Sequence, residues 1–285
     1  MEKSSTLPFG LGSGAFIWQI LFFYIPLFLL ILSSVMSLSG EGYFAGLTLS
    51  HFSAVLSPVY FKIIGNSLGI ATLTAGISLI IAYPLAHYMA FYAKKIKSLL
   101  LFMLIVPFWT NFLLHIYAWF FVLERQGFLN NLLLNLGITS EPLHLLNSPF
   151  ATMLMMVYYY LPFMVLPIYA SLERFDSKLI EASLDLGATP QQTFRSIMLP
   201  LSLPAIRTGF FLVFIPAFGE FVIPELMGGD RIYFVGNVIS QYILGEHTEG
   251  MGAAFTVVSS IILLLFSGGF YILFKKINKT IVRLR

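Results

Sequence analysis

The stretch Glu173–Pro204 reads ERFDSKLIEASLDLGATPQQTFRSIMLPLSLP, and it is the one long polar interval in an otherwise greasy chain. Its local chemistry predicts two short helices joined by a sharp bend. Asp176 is placed to cap the first, because its carboxylate can accept from the free N–H groups one turn on. Leu179, Ile180, Ala182, Leu184 and Leu186 give that helix an apolar character. Gly187 stands where a left-handed terminating residue is wanted. Thr189, Pro190 and Gln192 match a capping box with proline at the first helical position. Phe194, Ile197 and Met198 give the second helix an apolar side, and Pro200 and Pro204 hand the chain on. On pattern alone the interval is either a solvated link or a built element. Links of this length are uncommon unless functional.

Outward from this interval the chain is all-α and polytopic. Of its 285 residues, 58% are hydrophobic and 10% charged, with a mean hydropathy of +0.87. A soluble domain carries about a quarter charged residues. Six apolar spans are expected, at about 16–38, 63–92, 99–123, 150–172, 205–224 and 253–274, each near the length that crosses the hydrocarbon core. Together they form a single membrane domain over residues 1–285. Cleavage near Ser37 and Ser39 is the rival reading of the first span, although its apolar run exceeds the usual signal core of about 7–15 residues. Gly65 and Gly69 in the second span form a GxxxG pair, read first as ordinary helix packing within the subunit.

Orientation follows from the positive-inside rule. With the N-terminus inside, every Lys and Arg except Lys62, Arg125 and Arg231 falls on the cytoplasmic side, from Lys3 through Lys94, Lys95 and Lys97 to Arg285. Both termini and the Glu173–Pro204 interval are then cytoplasmic. Glu41, Glu124, Glu141, Glu225, Asp230, Glu246 and Glu249 fall outside, where they either concentrate cations or simply reflect relaxed pressure on external loops.

Glu181-Ala182-Ser183, Gly187, Ile197, Leu199 and Pro200 follow the pattern EAA---G---------I-LP. In this the chain resembles the membrane subunits of ABC-type importers. The one departure is Ser183, where alanine is usual. The resemblance implies the type I ABC importer permease (MetI-like) fold, with the first short helix acting as a cytoplasmic coupling helix. Glu181, Ala182, Ser183, Leu184, Asp185, Gly187, Ile197, Leu199 and Pro200 would then couple to an ATPase. Leu104–Asn111, Leu161–Val165 and Leu226–Gly229 extend the likeness, over most of the chain, to the B-type permeases of spermidine/putrescine importers. That likeness implies a bacterial inner-membrane location and a second, C-type permease to complete the pore. It also implies a dimer of ATPase chains carrying the ATP and Mg, a periplasmic polyamine-binding protein, and a polyamine as substrate.

The chain's own chemistry is compatible with this division of labour. It has no cysteine, hence no disulfide, thiol nucleophile or cysteine-ligated zinc. It has no HExxH, GxSxG or GxxxxGK[ST] motif, so hydrolysis and nucleotide binding belong elsewhere. No cofactor is expected on this chain. His51, His87, His115, His144 and His247 show no metal-ligand spacing. A formal charge of +3 is too small to point to nucleic acid, and lipid is the surrounding partner.

Glu220 is the outstanding polar residue, inside the fifth span beside Pro216 and Gly219, which are expected to break it. A carboxylate at that depth faces a cavity or a partner. It either lines a path for a cation or is a structural group bonded to Asn, Thr or an interfacial Arg. Glu225 lies near the outer end. Pro107–Asn111 breaks the third span in the same manner, where Trp109 offers a ring face to an ammonium and Asn111 an acceptor. Tyr158, Tyr159 and Tyr160 point in three directions on a helix, so one or two at most, Tyr159 among them, can line a path. The alternative class is an ion-gradient-driven secondary transporter, which would need ionisable groups on several spans.

Overall fold

The computed structural model describes residues 9–38, 44–93, 95–229, 233–245 and 248–283. Lys3, Ser39, Glu41, Lys94, Asp230, Arg231, Glu246, His247 and Arg285 lie outside the described residues.

In chain order the elements are α1 (Phe9–Gln19), a π turn (Ile20–Tyr24), α2 (Ile25–Val35), β1 (Met36–Leu38), β2 (Phe44–Leu47), α3 (Ser50–Val55) and α4 (Pro58–Phe91). There follow α5 (Lys97–Ile105), a 3-10 turn (Val106–Trp109), α6 (Phe112–Leu123), α7 (Phe128–Asn135) and α8 (Pro149–Glu173). The last part is α9 (Ser177–Asp185), α10 (Pro190–Thr193), a π turn (Phe194–Met198), α11 (Leu199–Phe218), α12 (Val222–Met227), α13 (Val235–Ser240), a π turn (Gln241–Gly245) and α14 (Glu249–Arg283). Among the described residues, five helical stretches are long and apolar enough to cross a membrane: Gly14–Val35, Pro58–Phe91, Pro149–Glu173, Pro190–Phe218 and Glu249–Lys279. A sixth is the broken pair Lys97–Trp109 and Phe112–Asn135, bent by 102°.

Three details differ from the sequence reading. The first span ends at Val35, because Met36–Leu38 pairs antiparallel with Phe44–Leu47 (Met36↔Leu47, Ser37↔Gly46) and Thr48 N–H donates to the Val35 carbonyl at 2.7 Å. The third span is two helices at a steep angle, parted at the break expected from Pro107–Asn111. The second short helix of the polar interval is not a separate element, since α10, its π turn and α11 run on into the fifth span. Leu199 N–H reaches back to the Phe194 carbonyl, so a wider turn precedes Pro200 and the helix passes the proline instead of stopping. The fifth span stops at Phe218, earlier than expected, and α12 restarts after a break.

The chain divides into two compact units. In the first, residues 1–61 and 238–261, His51 Nδ1–H donates to the Ser34 carbonyl at 3.2 Å and a Cβ on Gly250 would collide with the His51 ring. The Tyr60 and Tyr242 hydroxyls bond each other, and the Tyr60 ring packs on Phe255.

The second unit, residues 62–237 and 262–285, is organised on α8 and α11. Ser148 caps α8 by accepting from Ala151 N–H, with Pro149 at its first position. Met155, Met164, Ile168 and Leu172 on α8 are buried, as are Ser202, Ile206, Gly209 and Val213 on α11. Gly209 marks the close approach: a Cβ there would sit 2.9 Å from Met164 Sδ and 3.1 Å from its carbonyl oxygen. In lipid, helices gain little from apolar burial as such, so close packing of this kind is what joins them. Phe210 and Phe214 on α11 meet Phe270 on α14, and the Arg207 guanidinium lies 4.8 Å over the Tyr271 ring. Gly65 and Gly69 on α4 have nothing within 4 Å of a Cβ. They line a groove of about 310 Å³ with Leu73, Thr152 and Phe234 and are not packed against a helix of the described chain.

Candidate coupling site and translocation path

The polar interval folds as its sequence dictates. Asp176 Oδ1 accepts from Lys178 N–H at 3.0 Å and opens α9. Gly187 adopts φ +84°, a conformation that a side chain resists. Gly187 N–H returns to the Leu184 carbonyl and Ala188 N–H to the Ser183 carbonyl. The next helix starts on a reciprocal capping box, with Thr189 N–H donating to Gln192 Oε1 at 2.7 Å and Gln192 N–H to Thr189 Oγ1 at 3.3 Å.

Of the residues expected to couple, Glu181, Ala182, Leu184, Asp185 and Gly187 are exposed, and beside them Leu186 is 89% exposed. A leucine that open belongs to a docking surface more naturally than to bulk water. Ser183 turns inward and meets Thr193 hydroxyl to hydroxyl at 2.9 Å. Pro200 is buried, with Ile197 and Leu199 half-buried, so this trio roots the interval in the bundle. Lys97 bonds Glu173 at 2.9 Å, tying the start of α5 to the base of the interval. A cavity of about 710 Å³ lies against α9, lined among others by His87, Tyr92, Glu173, Glu181 and Phe194.

The candidate path residues fall around the two breaks. At the third-span break Asn111 Oδ1 caps α6 by accepting from Leu113 N–H at 2.8 Å, so its acceptor is already engaged. Trp109 stands 79% exposed beside it. His115 holds the break: Nε2–H is shared between the Pro107 carbonyl at 2.9 Å and the Thr110 hydroxyl, while Nδ1 accepts from the Tyr158 hydroxyl at 2.9 Å.

Glu220 sits in the fifth-span break, between α11 and α12. Its Oε1 accepts from Phe221, Val222 and Ile223 N–H at 3.1, 3.0 and 3.4 Å, satisfying the open start of α12. Its Oε2 accepts from the Tyr160 hydroxyl at 2.8 Å. These partners differ from the Asn, Thr or Arg considered for a structural role. Glu225 accepts from Asn237 Nδ2 at 2.6 Å.

The three tyrosines diverge as helical geometry requires. Tyr158 packs on His115 and Trp119, Tyr159 on Phe108 and Phe112, and Tyr160 faces Glu220. Tyr159 and Tyr160 rings meet edge to face at 5.3 Å, so rings run unbroken from Phe108 to the Glu220 carboxylate. The sequence reading set Tyr160 among three candidate wall tyrosines without choosing it, and it missed the roles of His115, Thr193 and Asn237. Only His115 carried a local signal, four residues after Asn111 and one helical turn into the following helix.

Among the described residues no group of His, Asp and Glu could hold a metal ion.

Comparison with known proteins agrees with this architecture. Residues 78–279 match the family described as binding-protein-dependent transport system inner membrane component. The chain is 38% identical over 266 residues to the spermidine/putrescine transport system permease protein PotB of Escherichia coli (strain K12), covering 92% of this chain and 97% of that protein. The corresponding Haemophilus influenzae protein is 36% identical over 267 residues, covering 93% of each. A chain from the crystal structure of a bacterial alginate ABC transporter, in complex with its alginate pentasaccharide-bound periplasmic protein, superposes with a TM-score of 0.74 over 95% of this chain and 94% of its own. At 18% identity it speaks for the fold alone.

Proposed function

The chain belongs to the family of binding-protein-dependent transport system inner membrane components, and on that premise we propose that it is the polyamine-conducting permease of an ABC importer. It is a multi-pass inner-membrane protein that serves as a permease subunit, and the ion-gradient alternative falls with the family assignment. The finer reading is that residues 1–285 form one permease domain with both termini cytoplasmic. It pairs with a homologous C-type permease, rests on a dimer of ATPase chains that bind the ATP and Mg, and receives a polyamine from a periplasmic binding protein.

The observation that carries the substrate class is the identity to spermidine/putrescine permeases over nearly the whole chain. The chemistry around the two breaks supports it. A polyamine is a flexible chain of ammonium groups separated by methylenes. It needs anionic points and ring faces in alternation, and it needs few directional donors. Trp109, Tyr159, Glu220 and Glu225 supply that alternation, and Asn111 fixes the break that presents Trp109. Closure of the ATPase dimer would displace α9 through its exposed face, and the spans would rock between outward-open and inward-open states.

The test is reconstitution of the four-component transporter in liposomes with radiolabelled spermidine and putrescine. ATP-dependent accumulation that excess unlabelled polyamine abolishes is expected. Accumulation of neither, with ATP hydrolysis stimulated by a binding protein loaded with another solute, would overturn the substrate reading. Glu220→Gln is expected to lower uptake without lowering membrane abundance, and unchanged uptake removes Glu220 from the path.

A further inference from the structure

Ser183 is the position at which this chain departs from the alanine of its motif, and the hydroxyl is buried and bonded. Ser183 is 9% exposed and Thr193 only 2%. Their oxygens lie 2.9 Å apart across the Gly187 bend. Thr193 Oγ1 also lies 3.2 Å from the Thr189 carbonyl, to which it can only donate. A hydroxyl has one hydrogen. The bond order is therefore fixed: Ser183 O–H donates to Thr193 Oγ1, and Thr193 O–H donates to the Thr189 carbonyl.

This relay spans the Gly187 bend between two helical pieces, beside the Gly187 and Ala188 N–H bonds that close the end of α9. On one side is α9. On the other is the helical stretch Pro190–Phe218, which runs through α10 and α11 to the break at Glu220. Without a cross-tie, a push on α9 could be absorbed by rotation about Gly187, whose missing side chain leaves the backbone soft. With the tie, α9 and the rod turn together. We infer that the Ser183–Thr193 hydroxyl pair is a positioning latch that makes the coupling helix and the fifth span move as one piece. The inference rests on this chain acting as an ABC permease and does not depend on which solute is carried.

Loss of either hydroxyl breaks the tie, and the order of the relay predicts an asymmetry in stability. Thr193→Val leaves the Ser183 donor buried without its acceptor. Ser183→Ala removes a donor and leaves Thr193 still bonded to Thr189. An orphaned buried donor costs more than a deleted pair. In the complete transporter reconstituted with its ATPase, second permease and binding protein, the quantity to measure is solute taken up per ATP hydrolysed, alongside membrane abundance and thermal stability. Thr193→Val is expected to lower that ratio by about fivefold or more at unchanged abundance. Ser183→Ala, which also breaks the tie, should lower it by a similar factor with a smaller loss of thermal stability, Thr193→Ser should keep it, and Ser183→Ala with Thr193→Val should be no worse than Thr193→Val alone.

Two results overturn the latch. One is an unchanged ratio in Thr193→Val or in Ser183→Ala while the unmutated transporter couples normally. The other is an uptake loss that merely tracks lost abundance, or that simply adds in the double variant. Failure of the permease reading is separate, since the unmutated chain would then show no hydrolysis stimulated by a loaded binding protein.

Discussion

Two spans are broken, and they are held open by different chemistry. At Thr110–Asn111 the loose ends are gathered by uncharged groups: an amide that caps, an imidazole that bridges and a hydroxyl. At Gly219–Phe221 one carboxylate does the whole task, capping with one oxygen and receiving a tyrosine hydroxyl with the other. Neutral groups would have sufficed at the second break, as they do at the first. That contrast, a carboxylate where uncharged groups serve the other break, is what the proposed transport role of Glu220 builds on. The comparison yields a rule for variants. Damage at the third-span break should register mainly in stability, whereas damage at the fifth-span break should register in transport as well.

The largest effect is expected from Glu220→Ala, which leaves the N–H groups of Phe221, Val222 and Ile223 and the Tyr160 hydroxyl without their acceptor. Uptake should fall more than about tenfold and folding stability by about 3 kcal/mol, since each orphaned buried group costs about 1–3 kcal/mol. Uptake assays on purified, reconstituted protein with a parallel unfolding curve in detergent measure both. If Glu220→Ala is as stable as the unmutated chain, the capping account of this break is wrong. Tyr160→Phe comes next. It removes one hydrogen bond to a charged group, of about 1.5–3 kcal/mol, and frees Oε2, so stability should drop while uptake changes in either direction. Unaltered stability would mean that the N–H groups alone fix the carboxylate.

His115→Ala is expected to cost about 1–2 kcal/mol through the lost ties to Tyr158 and Pro107. Uptake per folded transporter should fall less than about threefold by the same reasoning. An uptake loss matching that of Glu220→Ala would erase the distinction between the breaks. The smallest effect is that of Asn111→Ala, about 1 kcal/mol for a lost cap, with Asn111→Ser near neutral. Thermal unfolding of the two variants side by side decides it.

What could be read in advance divides along the same physical line as the residues themselves. Asp176, Gly187, Thr189, Pro190 and Gln192 act on partners within a few positions, so each cap was legible in the string of letters. The breaks near Pro107 and Gly219 were legible too, because proline and glycine act on their own backbone. The continuity of α10 with α11 was not, since prolines at 200 and 204 look like stops until a π turn carries the helix past the first of them. Ser183 read as a small residue only, because Thr193 lies beyond a bend whose angle had to be known first. Glu220 announced itself by its charge, yet its partner Tyr160 is 60 residues away. Nothing near Glu220 names that tyrosine over its two neighbours.

The close contact of Gly209 with Met164 has a mechanical consequence. At about 1.5 Å per residue, it lies about 29 Å from the Pro190 end of the continuous helix and about 14 Å from the Phe218 end. If the helix pivots there, the contact is a fulcrum set off-centre. A shift at the Pro190 end would then arrive at the Glu220 break reversed in direction, about half as large and with about twice the force. Spin labels at the two ends that move the same way between nucleotide states would rule this out. Otherwise the chain gears a broad stroke down to a short, strong one at the carboxylate.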